Sequence, residues 1–280
     1  MKPVTVITGT THGIGLETAR ALVAAGHEVF TLVRDTHAAE RLRSQWMQSH
    51  PQATVHVVPC DLNDLASVRQ AAQAVLQRCT RIDCLINNAG MVAMGAQRSA
   101  NGFERVFAVN HLAHFLLTQL LLPHMPRGAQ VIHVASCAHA QGTLDLGQVA
   151  HPFSKPYRPQ AAYAQSKLAN VLHAFALARR TQAAGIRVNC LHPGVVKSNL
   201  LPGWLQWVKP LIRPGMIDSV QGAQTTLYLA LDDRSTALHG QYLDEHQRVV
   251  EASPLARDVA LQEALWVASE RWVGLQGEGA

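Results

Sequence analysis

The chain has 280 residues, 48% of them hydrophobic, and a formal charge of +5. That apolar content excludes a disordered or fibrous chain, and with no linker, repeat or charge run it predicts one large core. Cys60, Cys79, Cys84, Cys137 and Cys190 are odd in number, scattered and without a C-x-x-C pair, which excludes a disulfide frame or a zinc knuckle. The basic charge forms no Lys/Arg block, so it suits an anionic cofactor and not a nucleic acid.

In chain order, Val4, Val6 and Ile7 read as a short buried strand, and Ile14, Leu16, Ala19, Leu22 and Val23 recur at helical spacing. Gly9, Gly13 and Gly15 lie between them. A strand, a glycine turn and a helix N-terminus gather unpaired backbone N–H groups at one point, which suits a phosphate. Strands are expected at 27–33, 53–58, 82–87, 129–135 and 186–191, and helices at 36–48, 64–78, 102–122 and 161–184. Asp64 is a candidate cap for the third helix. This alternation predicts an α/β fold: a single Rossmann-type, doubly wound parallel sheet with helices on both faces, occupying 1–280. Such sheets bind ligands beyond the carboxyl ends of their strands. His111 and His114 lie three apart with no third ligand nearby, so they are read as packing residues and no metal is expected. The first strand starts almost at once and no 18-residue uncharged apolar run is apparent, so a cytoplasmic protein is expected, without a transmembrane segment.

Four stretches carry chemistry. The second strand ends in Val33-Arg34-Asp35; an arginine there accommodates a 2′-phosphate, whereas an acidic group binds the ribose hydroxyls. Arg34 favours NADP(H) over NAD(H), with Asp35 as the competing contact if the strand runs longer. "CDLND" (60–64) places Asp61 and Leu62 after the third strand, where Asp61 is suited to the adenine amino group. "NNAG" (87–90) lets backbone pass close to a cofactor, and Asn87 is expected to tie neighbouring loops. In "YAQSK", Tyr163 and Lys167 share one helical face, so the ammonium is expected to lower the phenol pKa toward the working range. Ser136, just past the fifth strand, is suited to holding a substrate oxygen. Asn110 reads either as a member of this group or as a core-facing, helix-bending amide.

"TGTTHGIG", "NNAG", Ser136, "YAQSK" and "HPG" (192–194), in this order, resemble the short-chain dehydrogenase/reductase family over nearly the whole chain. "VNHLAHFLLT", "YAQSKLAN" and "HPGVVKSNL" resemble its retinol-dehydrogenase-like branch. The resemblance implies Tyr163 as catalytic acid/base, Lys167 on the nicotinamide ribose, Ser136 on the substrate oxygen, and Asn110 anchoring a relay water. It implies a cofactor site of Gly9, Thr11, His12, Gly13, Ile14, Gly15, Arg34, Asp61, Leu62, Asn87, Ala89, Gly90, Tyr163, Lys167, Pro193, Gly194, Val196 and Ser198. Ser198 stands where the family commonly has threonine. The segment between Ser136 and Tyr163 is long, resembling an insertion of the branch. Members of that branch often carry an N-terminal membrane anchor; none is seen at the start of this chain.

Residues 199–217 are expected to form a substrate lid. Trp204, Trp207, Leu200 and Leu205 suit a greasy pocket wall, an interfacial helix with Lys209 and Arg213 toward headgroups, or ordinary packing. A C-terminal helix over about 254–273 is expected to close the site or form an interface. The two long apolar helices suit a homodimer or homotetramer, or burial within one chain. Two functions follow: an NADP(H)-dependent oxidoreductase interconverting a carbonyl and an alcohol, expected on a lipophilic substrate, or an NADP(H)-sensing binding protein without turnover.

Overall fold

The computed structural model describes residues 2–196 and 217–275. Ser198 and the expected lid up to residue 216 lie outside the described residues.

Seven parallel strands form one sheet in the order β3-β2-β1-β4-β5-β6-β7. They are β1 (Val4–Thr8), β2 (Glu28–Val33), β3 (Thr54–Pro59), β4 (Cys84–Asn87), β5 (Gln130–Val134), β6 (Arg187–Leu191) and β7 (Gln241–Leu243). Strand alternation sends side chains to opposite faces. Val4 and Val6 join Phe30, Leu85 and Val131 in one core, while Ile7 joins Val29, Ile86 and Ile132 in the other. Both faces are dry, which is why these strands read as near-continuous apolar runs.

Helices α1 (Gly13–Ala24) and α2 (Thr36–Ser49) cover one face. On the other lie α3 (Leu65–Leu76), a helix in three parts, and α7 (Pro159–Thr181). The three parts are α4 (Arg105–Phe107), a π turn (Ala108–Leu112) and α5 (Ala113–Leu121). Asp64 caps α3 as expected, its carboxylate accepting from the Ala66 N–H at 2.9 Å.

The expected helix 102–122 begins later and is interrupted. Glu104 is the reason for the start: both its oxygens accept from the first turn, at 3.0 Å from Val106 N and 2.7 Å from Phe107 N. Arg105–His124 is long and apolar enough to cross a membrane on composition alone, contrary to the reading that no such run exists. Most of it is buried in this core, with Phe107, Leu112 and Leu116 at 0% exposure. The apolar faces expected to pair between subunits are thus covered within the chain.

Three elements escaped the sequence reading: α6 (Leu146–Ala150), α8 (Ser219–Leu231) and β7. The expected C-terminal helix 254–273 is two, α9 (Pro254–Arg257) and α10 (Val259–Trp272), because the Asp258 carboxylate accepts from Leu261 N and starts the second. Leu265 packs into the core, and the Arg180 guanidinium lies 4.0 Å over the Trp266 ring. This helix is therefore a core element leaning on α7.

Candidate active site

The strand order reverses between β1 and β4, and that crevice is where this architecture takes its ligand. β1 ends at Thr8, and Gly9 follows with φ 74°, a conformation that favours glycine. A Cβ on Gly9 would stand 2.8 Å from the Ala89 Cβ, and one on Gly15 would overlap the Gly9 carbonyl and the Asn88 amide. Around Gly13, also at positive φ, a Cβ meets nothing within 4 Å among the described residues, so this part of the loop is open on their side. His12 is extended and caps nothing, leaving the first N–H groups of α1 without a side-chain partner among the described residues. A loop with no Cβ where backbone meets backbone, open in front, with free N–H groups behind, fits a pyrophosphate. Thr11 and Ile14 are half-buried beside it.

Asn88, and not Asn87, ties the loops together. Its Nδ2 donates to the carbonyls of Thr8 at 2.9 Å and Gly9 at 3.2 Å. Asn87 is 2% exposed and donates to Thr118 Oγ1 at 2.9 Å. Two identical adjacent amides gave no way to tell which would turn inward; strand alternation decides it. Ala89, half-buried, continues the turn, and Gly90 is exposed.

At the end of β2, Arg34 is exposed and has no side-chain partner among the described residues. The Asp35 carboxylate accepts from Ala38 N at 2.9 Å and caps α2. Asp61 Oδ1 accepts from Asn63 N at 3.0 Å, ordering the turn that carries half-buried Leu62.

The candidate reacting groups gather on the other side of the crevice. Ser136 follows β5, and its hydroxyl stands beside the Tyr163 phenol and acts on its pKa. Lys167 is 3% exposed; its Nζ donates to the Val134 carbonyl at 2.9 Å and lies 5.7 Å from the Tyr163 ring centre. Asn110 sits in the π turn, 0% exposed, with Oδ1 accepting from Met91 N at 2.8 Å. Its Nδ2 donates to the Met91 carbonyl at 3.0 Å and to Ser166 Oγ at 2.9 Å. A Cβ on Gly90 would lie 3.4 Å from Lys167 Nζ and 3.6 Å from Asn110 Oδ1. The "NNAG" turn, the π turn and α7 thus meet at one point.

Burial pushes the Tyr163 phenol above its ordinary pKa, and the neighbouring Ser136 hydroxyl pulls against that without prevailing. The expected lowering by Lys167 is not realised here. The lysine is itself desolvated, which lowers its pKa to about 8, and its ammonium is directed at a backbone carbonyl.

Residues the sequence reading passed over support this group. His139, 3% exposed, brings Nδ1 to 2.8 Å from the Ser136 carbonyl while its Nε2 accepts from Ser253 N at 3.1 Å. It pins the serine turn to the entry of α9. Gln165 accepts from Asp145 N at 2.7 Å, and a Cβ on Gly142 would sit 2.6 Å from the Ala164 carbonyl, so the long segment after Ser136 is pressed onto α7. In the "HPG" turn, Pro193 is buried and Gly194 has φ 81°. Gly194 N donates to His192 Nδ1 at 3.3 Å, and Val196 pairs with Ile217, so the two described flanks of 197–216 meet. Among the described residues no His/Cys/Asp/Glu group could hold a metal ion.

Residues 3–209 match the short chain dehydrogenase family. Human retinol dehydrogenase 12 is 37% identical over 279 residues, covering 98% of this chain and 87% of its own. A solved structure of an uncharacterized protein from Mycobacterium paratuberculosis superposes with TM-score 0.80 at 34% identity, covering 97% of this chain and 93% of that one. The 3-ketoacyl-(acyl-carrier-protein) reductase of Brucella melitensis, solved with NADH, gives TM-score 0.67 at 25% identity over 86% of this chain and 96% of that one. The glycine cradle and the Ser-Tyr-Lys group, with Lys167 buried behind a half-exposed Ser136 and Tyr163, fit a nicotinamide cofactor. The chain belongs to the short-chain dehydrogenase/reductase family, on its retinol-dehydrogenase-like side, and is an oxidoreductase.

Proposed function

We propose that the protein is an NADP(H)-dependent oxidoreductase that interconverts a carbonyl and an alcohol on a lipophilic substrate, with Tyr163 as acid/base. One observation carries the reading: Tyr163 stands beside Ser136, with Lys167, buried to 3% exposure, 5.7 Å from its ring centre. Ser136 holds the substrate oxygen beside the phenol. Tyr163 gives that oxygen a proton in reduction and takes it back in oxidation. Lys167 favours the phenolate by charge once its ammonium turns toward the ring. Asn110, braced by Met91 and Ser166, keeps the surroundings of Lys167 in place. The nicotinamide, when bound, supplies or accepts the hydride at the substrate carbon.

Gly9 to Gly15 would hold the pyrophosphate, with Asp61, Leu62, Asn87, Ala89 and Gly90 along the adenosine half. Lys167, Pro193, Gly194, Val196 and Ser198 would hold the nicotinamide half. Arg34 supports NADP(H), because it is an exposed guanidinium with no partner among the described residues, while Asp35 is engaged in capping. The apolar sequence of 199–217 supports a lipophilic substrate under a lid, and peripheral contact with a membrane. Five free cysteines agree with a reducing compartment, hence the cytoplasm. A homodimer or homotetramer stays the assembly to look for, although the apolar faces of α4–α5 and α7 are covered within the chain.

The test is paired titration with NADPH and NADH, then a carbonyl panel running from small aldehydes to retinal. Tyr163→Phe is expected to cut turnover by about 10³-fold while cofactor affinity stays nearly unchanged. Full turnover by that variant on a confirmed substrate removes Tyr163 from the mechanism.

A further inference from the structure

His114 lies at the start of α5, one turn after Asn110, and is 1% exposed. Its Nδ1 is 3.0 Å from the Asn110 carbonyl oxygen, and its Nε2 is 3.0 Å from Thr8 Oγ1. A carbonyl only accepts, so Nδ1 carries the proton. The other partner gives the same answer independently. Thr8 Oγ1 already accepts the N–H groups of Asn88 at 3.1 Å and Ala89 at 3.0 Å. Its own hydroxyl proton is then left to donate to Nε2, which must be unprotonated. Both ends require the neutral Nδ1–H tautomer.

Each partner belongs to a different part of the site. Thr8 precedes the first glycine of the cradle, Asn88 and Ala89 form the "NNAG" turn, and Asn110 is in the π turn. The Asn110 side chain is held by Met91 and Ser166, and Ser166 Oγ in turn donates to the Tyr163 carbonyl at 2.7 Å. His114 supplies the remaining hold, on the main chain. Lys167 from α7, His133 from β5 and His111 from its own helix also face it, and burial with Lys167 nearby keeps the ring neutral, its pKa lowered to about 4.

We propose that His114 is a positioning residue for the reaction, fixing the Asn110 carbonyl through Nδ1–H and binding the π turn to the cofactor cradle through Thr8. The inference rests on the oxidoreductase reading above for its catalytic consequence, but its hydrogen-bond arrangement is testable without turnover. In a ring-nitrogen spectrum of ¹⁵N-histidine-labelled protein, His114 is expected as the Nδ1–H tautomer, unchanged from neutral to mildly acid pH. An Nε2–H tautomer, or titration in that interval, overturns it.

Variants separate the two holds. His114→Phe keeps a ring and loses both, and is expected to lower kcat by about tenfold and weaken cofactor binding. His114→Asn offers a donor at the Nδ1 position without reach to Thr8, so it should restore kcat and leave cofactor binding weak. Thr8→Val should weaken cofactor binding, and adding His114→Phe to it should cost no more than the worse single change. A folded His114→Phe protein with normal kcat and cofactor affinity overturns the proposal, as does a folded His114→Asn protein no faster than His114→Phe. If the unaltered protein turns over no carbonyl, the oxidoreductase reading fails, and the spectrum and the cofactor affinities still decide the case for His114.

Discussion

The two sides of the crevice are built in opposite ways. At the end of β1 the candidate cofactor cradle is made by leaving side chains out: Gly9 and Gly15 approach Ala89 and Asn88 where any Cβ would collide. Around the ends of β5 and α7 the candidate reacting group is surrounded by buried side chains that prefer water. Lys167, Asn110, His114 and His139 are each at most 3% exposed, and each has a hydrogen-bond partner. The first side is governed by shape, so its failures are steric. The second is governed by desolvation, so its failures are electrostatic and depend on pH. A chain needs both, because a phosphate is recognised by fixed backbone donors whereas a proton must be held by a group with a shifted pKa.

This contrast can be pressed hardest with acid. His111, His114 and His133 are lowered by burial to about 3, 4 and 3, and His173 well below its ordinary value. Their folded pKa values lie below the unfolded value of about 6.5, so the stability linked to them is fully present above that pH. It is lost as the pH falls, because the unfolded chain takes up protons that the folded chain refuses. Each histidine contributes roughly 1.4 kcal/mol between about pH 7.5 and pH 5.5, about 5 kcal/mol for the four. Urea unfolding at the two pH values measures this; equal stabilities would mean that the four rings are not buried as neutral bases.

Gly15→Val tests the steric side. Its side chain overlaps the Gly9 carbonyl and the Asn88 amide, so a loss of about 1–3 kcal/mol of stability and of nucleotide binding is expected, with no pH dependence. Thermal melts with and without cofactor read both; unchanged binding would show that the loop relaxes and is not a rigid cradle. The mildest effect is expected at Arg34, exposed at the rim. Arg34→Ala should weaken NADPH binding by about 10- to 100-fold and leave NADH binding alone. Equal losses for both cofactors would move the contact from the 2′-phosphate to somewhere they share.

Much of this was legible locally. The strands stood out because both faces of the sheet are covered, and α3 because Asp64 precedes an apolar period. β7 did not, since three residues held by pairing with β6 leave no period to read. The π turn was foreshadowed only by Asn110 as a helix-bending amide; its partners Met91 and Ser166 are reached across the fold. The break at Asp258 was available from its capping chemistry and was overlooked within a continuous amphipathic pattern. Asn87 and Asn88 could not be distinguished from their names, only from the side of β4 on which each falls.

The sequence by itself determined the class of molecule and its chemical inventory: alternating apolar runs, glycines at one strand end, and Ser136, Tyr163 and Lys167 in family order. These are local or ordinal properties that survive in a one-dimensional string. Only the tertiary structure decided the protonation and direction of those groups. It set the Tyr163 phenol above its ordinary value where a neighbouring lysine suggested the reverse, and it put the proton of His114 on Nδ1. The reason is that desolvation and hydrogen-bond pairing are set by every group around a buried atom, and here those groups come from strands and helices far apart in the chain.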